Sequence, residues 1–211
     1  MVRYDNPTCL GRQPTDAAAA EDEPVVTSFH PEAAAGIHIA PGGWADLADA
    51  DTFYPGDLPE DWRLTYFANA VGAVLVPSEQ WVDAPPGELV GWRDDVHDRF
   101  RFFLNYAGDQ AASVAAARAA LGVLLEALVG TPVGEDGVRP CLAPDRPDGP
   151  AIGYAAAPPD AVRGDLRGAR HWLRELERRH GTPPRLVVLA RPTSAELSAW
   201  QQLVGLLGLA P

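Results

Sequence analysis

The sequence predicts a single α/β domain that is built on a mainly parallel sheet and has helices packed against its faces. Two observations predict this fold class. Segments with the apolar content of strands alternate along the chain with segments whose apolar residues recur at helical spacing. The run from Val71 to Val76 is apolar on both faces, which is typical of a strand that is covered on both sides. We therefore expect this strand to be central in the sheet.

Five segments have the pattern of strands. In chain order they are IHI (37–39), VGAVLVP (71–77), RFRFFL (99–104), AIGYAAAP (151–158) and RLVVLARP (185–192). In the third segment, Phe100, Phe102 and Leu104 share one face, as alternation along a strand requires. Five strands are too few for a closed eight-stranded barrel, which typically needs about 250 residues.

Four helices are predicted between and after these strands. The residues that open them are Asp57 or Pro59-Glu60, then Asp109, Asp165 and Thr193, the last in a capping box with Glu196. The Asp109 helix is predicted to reach about residue 129, and Gly181 ends the Asp165 helix, whose buried stripe includes Leu166. Segment 130–150 is rich in residues that interrupt helices and strands, so it is predicted to be a long surface loop. The sequence does not decide whether this loop contains a short strand near Val138.

The first 35 residues differ in composition from the rest of the chain. They are rich in Ala, Pro and acidic residues, so they bury too little apolar surface to offset the entropy of ordering. We expect a flexible or loosely packed N-terminal tail at 1–35 and one α/β domain at 36–211. This tail lacks the apolar core of a signal peptide, and no segment has 18 consecutive apolar residues, so the expected location is cytoplasmic.

The charge balance excludes several function classes. The formal net charge is −12, which argues against binding to nucleic acids or to an anionic membrane surface. All 17 basic side chains are Arg, so neither a Schiff-base lysine nor a P-loop lysine is available. Cys9 and Cys141 lack the spacing of a metal site, so we predict no metal and no cofactor. A single disulfide between these two cysteines is an alternative that the sequence does not decide.

Three stretches occur together in the order of a known family: IHIAPGGW (37–44), FYPGDLPEDWRLTYFANAVGAVLVP (53–77) and RFRFFL (99–104). Over roughly residues 36–108 they resemble the domain of unknown function 72 (YecE-like) family, whose members are TIM-type barrels. The family's Gly-Trp and Phe-Tyr-Pro motifs stand here as Gly43-Trp44 and Phe53-Tyr54-Pro55. The resemblance implies an incomplete or distorted TIM-barrel-like sheet, diverged and shortened, and it brings no activity with it.

The departures from the family pattern fall at the strand ends. The family's strand Glu is replaced by Leu75 and its Asn by Pro77, and the following aromatic pair falls on Gln80 and Trp81. Asn105 stands where the family has a Lys. The resemblance thus implies the shell of a site whose ionisable groups have been lost.

Polar residues nevertheless follow the predicted strands, at the edge where parallel α/β sheets bind their ligands. Five of them are predicted to form a shallow ligand-binding pocket: Trp44, Glu79, Asn105, Tyr106 and Arg191. Arg191 would attract a small anionic or sugar-like ligand. Helix capping is an alternative explanation for the polar residues nearby, among them Asp109, Asp160, Asp165 and Thr193.

Histidines and carboxylates also occur away from this edge. The densest cluster is predicted to be a solvated acidic turn at the amino end of the sheet and contains Asp94, Asp95, His97 and Asp98. His38 lies inside the first strand, where it is either a structural residue or a general base that points into the barrel centre. His171 and His180 are predicted to be surface residues on a charged helix.

These observations favour a non-catalytic α/β domain that binds a small ligand or a protein partner, with no catalytic residue. The alternative is a hydrolase or phosphodiesterase-like enzyme that uses Glu79, Asp109, Asp160 and Arg191 at the carboxyl edge. A homodimer formed through an open sheet edge or exposed aromatic residues is a third hypothesis.

Overall fold

In the computed structural model, which describes residues 36–134 and 136–211, a seven-stranded sheet curls into a nearly closed barrel. The strands are β1 (His38–Pro41), β2 (Ala73–Val76), β3 (Arg101–Asn105), β4 (Leu125–Val129), β5 (Arg139–Leu142), β6 (Ala151–Ala156) and β7 (Leu186–Leu189). Helices pack outside the sheet, so the α/β class predicted from the sequence is confirmed.

Eight α-helices accompany these strands in the described part of the chain. They are α1 (Ala50–Phe53), α2 (Arg63–Ala68), α3 (Ser78–Trp81), α4 (Pro86–Asp94), α5 (Ala111–Leu121), α6 (Asp160–Arg163), α7 (Leu166–His180) and α8 (Ser194–Leu206). Short 3-10 turns at Glu60–Trp62 and Gly122–Leu124 precede α2 and β4 respectively. Among the described residues no helix has both the length and the apolar character to cross a membrane.

The sheet is mainly parallel, as predicted. Its strand order is β1-β7-β6-β5-β4-β3-β2, and only β5 runs antiparallel to both of its neighbours. The end strands β1 and β2 lie side by side, yet no ladder of hydrogen bonds joins them in the described part of the chain. We call this junction the seam.

The prediction that the second strand is central was wrong, because β2 is an end strand of the hydrogen-bonded order. Its two apolar faces have another cause, which is the curvature of the sheet. Leu75 faces the small apolar interior of the barrel, whereas Val74 and Val76 face the helices, so both faces are buried without a second ladder.

The barrel interior is filled by apolar side chains, of which several are small. Ala40, Ala73, Ala127 and Ala155 lie there together with the buried thiol of Cys141. The larger core lies between the outer face of the sheet and the helices, where Phe100, Phe102 and Leu104 pack on the face that alternation predicts.

The predicted long helix 109–129 is not continuous. Helix α5 ends at Leu121, a 3-10 turn follows, and residues 125–129 form strand β4 in the barrel. Gly122 has φ of +56°, a conformation that ends the helix and that glycine adopts without steric cost. Asp109 is not the cap either, because Gln110 occupies that position and accepts a hydrogen bond from the Ala107 amide at 3.3 Å.

The two later caps, Asp165 and Thr193, are where the sequence predicts them. The Thr193 hydroxyl accepts a hydrogen bond from the Glu196 amide at 3.1 Å, whereas the Glu196 carboxylate pairs with Arg163. The Asp165 carboxylate accepts a hydrogen bond from the Arg167 amide at 3.0 Å, and Gly181 ends α7 in the left-handed conformation. Leu166, by contrast, is 41% exposed and does not belong to the buried stripe, because it is the first residue of the helix.

Segment 130–150 is not only a loop, since it contains β5. The predicted tail 1–35, with Cys9, lies outside the described residues.

Candidate functional site

The carboxyl end of the parallel strands does not gather the five predicted ligand-binding residues into one pocket. Trp44 and Glu79 line an open cleft of about 360 Å³ together with Trp92 and the carboxylates of Asp83 and Glu88. The Trp44 and Trp92 rings meet edge to face with their centroids 5.2 Å apart. Asn105, Tyr106 and Arg191 do not line this cleft.

Asn105 is instead part of a hydrogen-bonded cluster at the carboxyl end of the barrel. The guanidinium of Arg139 donates hydrogen bonds to the Asn105 side-chain oxygen, to the Gly130 carbonyl at 2.8 Å and to the Val129 carbonyl at 3.2 Å. The Trp81 indole donates to the Asn105 carbonyl at 3.0 Å. Arg139 reaches this end of the barrel because β5 runs antiparallel and therefore begins where its neighbours end.

Tyr106 and Arg191 have different surroundings. The Tyr106 ring is buried, and its hydroxyl donates to the Gly108 carbonyl at 3.3 Å. Arg191 has φ of +42° and a side chain that is 76% exposed, with its Nε 3.8 Å from an Asp46 oxygen. Arg191 therefore lies on the surface and not beside Glu79.

The N-terminus of helix α8, also at this end, is occupied by a carboxylate of the protein itself. Asp49 accepts hydrogen bonds from the Ser194 hydroxyl at 2.6 Å and from the Ser194 amide at 3.0 Å. Burial raises the pKa of Asp49, but these hydrogen bonds outweigh it and hold the pKa below its usual value. An external anion would have to displace Asp49 from this position.

The carboxylates of the enzyme hypothesis are also at the surface. Asp109 and Glu79 are exposed, and Asp160 is exposed beside Arg163, with 3.6 Å between the Arg163 Nη1 and an Asp160 oxygen. The structure does not bring them together around one concavity.

A larger cavity, of about 650 Å³, opens at the amino end of the barrel beside the seam; we call it the amino-end cavity. Strand β1, the start of β2 and helix α8 supply its apolar wall. The polar groups that line it are His38, His97, Arg99, Arg101, Glu126 and Gln201.

Glu126 enters this cavity from a β-bulge. Phe102 pairs with Leu125 and Phe103 with Ala127, so Glu126 is the extra residue of β4. Its carboxylate accepts hydrogen bonds from Arg185, at 3.1 Å from Nε and 2.5 Å from Nη2. Arg101 approaches the other oxygen with its Nε at 3.5 Å, beyond the range of a good hydrogen bond.

His38 is the most deeply buried of these polar residues, with 8% of its surface exposed. Its ring packs edge to face on Phe103 at 5.3 Å, and no described residue makes a hydrogen bond to either ring nitrogen. Burial lowers the pKa of His38 to about 4, an effect that Arg101 and Arg185 reinforce and Glu126 opposes. A neutral imidazole therefore faces the cavity near pH 7.

The predicted acidic turn does lie at the amino end, just before β3. His97 is fixed there by backbone groups, since its Nδ1 accepts from the Arg99 amide at 3.2 Å and its Nε2 lies 2.9 Å from the Ala68 carbonyl. No group of three or more His, Cys, Asp or Glu side chains suited to a metal ion occurs in residues 36–134 and 136–211.

His171 is exposed, as predicted, but the prediction that His180 is a surface residue was wrong. The His180 ring packs on Tyr154 with centroids 4.6 Å apart, because the chain turns at Gly181 against strand β6.

The sequence indicates that His38 could point inward, but it does not predict the roles of Arg101, Glu126, Arg139 and Arg185. The usable signal was in β3, where Arg101 alternates with Phe103 and so shares its inward face. No comparable signal marks Glu126, because a bulge sets its direction.

Comparison of the chain with protein-family models, with curated proteins and with solved structures found no match. The resemblance to the domain of unknown function 72 (YecE-like) family therefore stays a prediction.

Proposed function

We propose that this protein is a non-catalytic α/β barrel that binds a small molecule in the amino-end cavity. One observation carries the proposal: a histidine that is 8% exposed faces an open cavity of about 650 Å³ and makes no hydrogen bond to any described residue. The ring nitrogens of His38 are not among the fully enclosed polar atoms, so they are accessible to a ligand that fills the cavity and can hydrogen-bond to it. The volume is within the range of small-molecule sites.

The carboxyl end is a weaker candidate for the ligand site. Arg139 already donates a hydrogen bond to Asn105 there, and Asp49 already occupies the α8 N-terminus. The remaining cleft beside Trp44 is smaller and more open. A ligand at the amino end departs from the usual position in parallel barrels, where the site lies at the carboxyl end.

The absence of catalysis is inferred from the pairing of the ionisable groups in the cavity. General acid–base catalysis near neutral pH needs a group whose pKa lies close to that pH. The pKa of His38 is lowered to about 4, and Glu126 is held by Arg185. His38 is therefore not suited to exchange protons near pH 7.

The proposal includes the ancestry suggested by the sequence, a diverged and shortened TIM-type barrel of the YecE-like family. The mostly parallel, nearly closed sheet supports it. A contact between two family motifs also supports it, since the Tyr54 hydroxyl of Phe-Tyr-Pro donates a hydrogen bond to the Trp44 carbonyl of Gly-Trp.

A cavity-filling variant tests the proposed site. A Cβ added at Gly72, on the cavity wall, would meet open space, so Gly72→Phe can fill the cavity without displacing core atoms. The matched control is Gly56→Phe, because Gly56 also has open space around its Cβ but does not line the cavity. The probe is N-phenyl-1-naphthylamine, a neutral aromatic molecule whose fluorescence rises in apolar sites.

We expect saturable binding of one probe molecule to the natural protein and to Gly56→Phe, and at least tenfold weaker binding to Gly72→Phe. Equal binding by all three proteins would refute the cavity as the site. A panel of phosphoester, glycoside and ester substrates should give no turnover above blank. Reproducible turnover that Glu79→Gln abolishes would establish the enzyme hypothesis instead.

A further inference from the structure

We infer that the molecule bound in the amino-end cavity carries a compact oxyanion, such as a carboxylate, sulfonate or phosphate group, which Arg101 binds with help from His38. This inference rests on the proposed function, because it assigns a chemical class to the ligand of that cavity. It chooses the anionic ligand over the neutral, sugar-like one that the sequence had left open.

The charges that line the cavity are unbalanced toward positive. Among the side chains of the described residues that line it, those of Arg99 and Arg101 are positive and that of Glu126 is negative. Glu126 is itself paired with Arg185, which is not among the lining residues and whose Nη2 lies 2.5 Å from a Glu126 oxygen. Although the protein has a net charge of −12, positive side chains therefore outnumber negative ones among the described residues that line this cavity. An anion would balance that excess, whereas a cation would add to it.

The geometry of Arg101 leaves part of its guanidinium available. Its Nη1 donates to the carbonyls of Asp98 at 2.7 Å and Phe100 at 2.9 Å, which fixes the plane of the group. Its Nε is 3.5 Å from Glu126, and its Nη2 has no hydrogen-bond partner among the described residues. A fixed guanidinium with free N–H groups is well suited to an oxyanion.

His38 adds a hydrogen-bond donor without adding charge. A neutral imidazole has one N–H, which can be given to an oxygen of the bound head group. Arg99 lies at the rim, and its side chain makes no ion pair with any residue in the described ranges, so it can attract the anion during approach. Gln201, on helix α8, provides a further amide in the wall.

The rest of the ligand is expected to be apolar. Ile37, Ile39 and Val204 line the same cavity and offer no hydrogen bonds from their side chains. An aromatic or aliphatic body of modest size would cover them while its charged end meets Arg101. The class is therefore a small amphipathic organic acid or phosphate ester.

A matched pair of probes tests this inference. N-Phenyl-1-naphthylamine is neutral, and 8-anilinonaphthalene-1-sulfonate has the same rings with one sulfonate added. We expect the natural protein to bind the sulfonate at least tenfold more tightly. That preference should disappear in Arg101→Met and decrease in Arg99→Met. The matched control is Arg118→Met, on the exposed face of α5, which should retain the full preference.

Benzoate and benzamide provide a second comparison with a different head group. Benzoate should displace the bound sulfonate probe from the natural protein, and benzamide should not. If Arg101→Met fails to fold, the result with Arg99→Met and the benzoate comparison still decide the question.

Equal affinity for the neutral and the anionic probe, with both blocked by Gly72→Phe, would refute the oxyanion inference and leave the proposed function standing. Probe binding that Gly72→Phe does not weaken would refute the proposed function itself. A preference for the sulfonate that persists unchanged in both Arg99→Met and Arg101→Met would also contradict the inference, because another group would then bind the anion.

Discussion

His38 has a pKa that differs strongly from that of free histidine in water. It is buried beside two arginines and one carboxylate, and its pKa is lowered to about 4 from an ordinary value of 6.5. Between those two values the unfolded chain binds a proton at this position that the folded chain does not. The contribution of His38 to stability is therefore present above about pH 6.5 and decreases as the pH falls towards 4.

We predict that the free energy of unfolding falls by about 2–3 kcal/mol more for the natural protein than for His38→Gln between pH 7 and pH 4.5. Urea unfolding at the two pH values measures this difference. The variant is the control for all other ionisable groups, which the two proteins share. Parallel pH dependence of the two proteins would show that His38 is protonated as easily as in water.

A second prediction concerns Cys141, whose thiol lies inside the barrel. Burial raises the pKa of the Cys141 thiol to about 12, so almost no thiolate exists near neutral pH. In a Cys9→Ser background, reaction of Cys141 with a disulfide reagent should be roughly 1,000-fold slower in the native protein than in guanidinium chloride. Adding Ser198→Cys, an exposed position on α8, gives a thiol that should react fast in both states.

For individual residues, the sequence predicted which side chains point into the barrel but not which hydrogen-bond or ion-pair partners they have. His38 could be placed because alternation within a strand fixes its face. Arg139 could not, because its role depends on the reversed direction of β5, and nothing in RPCL specifies that direction. The partners of Asn105 and Glu126 are likewise distant in sequence, and only the closed sheet brings them together.

Among the elements, the change from helix α5 to strand β4 occurs within a few residues. The apolar run between Leu121 and Val129 fits a helical stripe as well as a buried strand, so periodicity alone favoured the longer helix. Pairing with Phe102, Phe103 and Leu104 decides for the strand. Such long-range pairing is not visible in the local sequence, whereas the caps of α7 and α8 depend on adjacent residues and were predicted.

Gly122 should be intolerant of a side chain although it has open space around it. Its φ of +56° is strained for alanine, so Gly122→Ala should lower the free energy of unfolding by about 1–3 kcal/mol. The matched control is Gly205→Ala inside α8, where the Cβ also meets open space and φ is not positive. This control should raise the stability by up to about 1 kcal/mol, because alanine is the better helix former. Equal effects in chemical denaturation would contradict the prediction.

In the molecule as a whole, the seam between β1 and β2 is the place where the barrel lacks backbone pairing. Each of these strands has a ladder on one side only, whereas β3 has one on both sides. We predict that amides in peptides covering β1 and β2 exchange with deuterium well before those in peptides covering β3. Hydrogen exchange measured by mass spectrometry tests this order. Equal protection of all three strands would mean that the seam is closed by contacts stronger than the described ones.

The hydrogen-bonded cluster of Arg139 and Asn105 at the carboxyl end also bears on how ligands of the amino-end cavity would exchange. No residue from that end of the barrel is among the described residues that line the amino-end cavity, so a ligand would enter and leave the cavity at the amino end. A competing ligand would therefore be unable to displace the bound ligand from the opposite side. Exchange of one ligand for another should therefore proceed at the dissociation rate of the first ligand, whatever the concentration of the second. Of a long polymer, only one end could enter such a cavity.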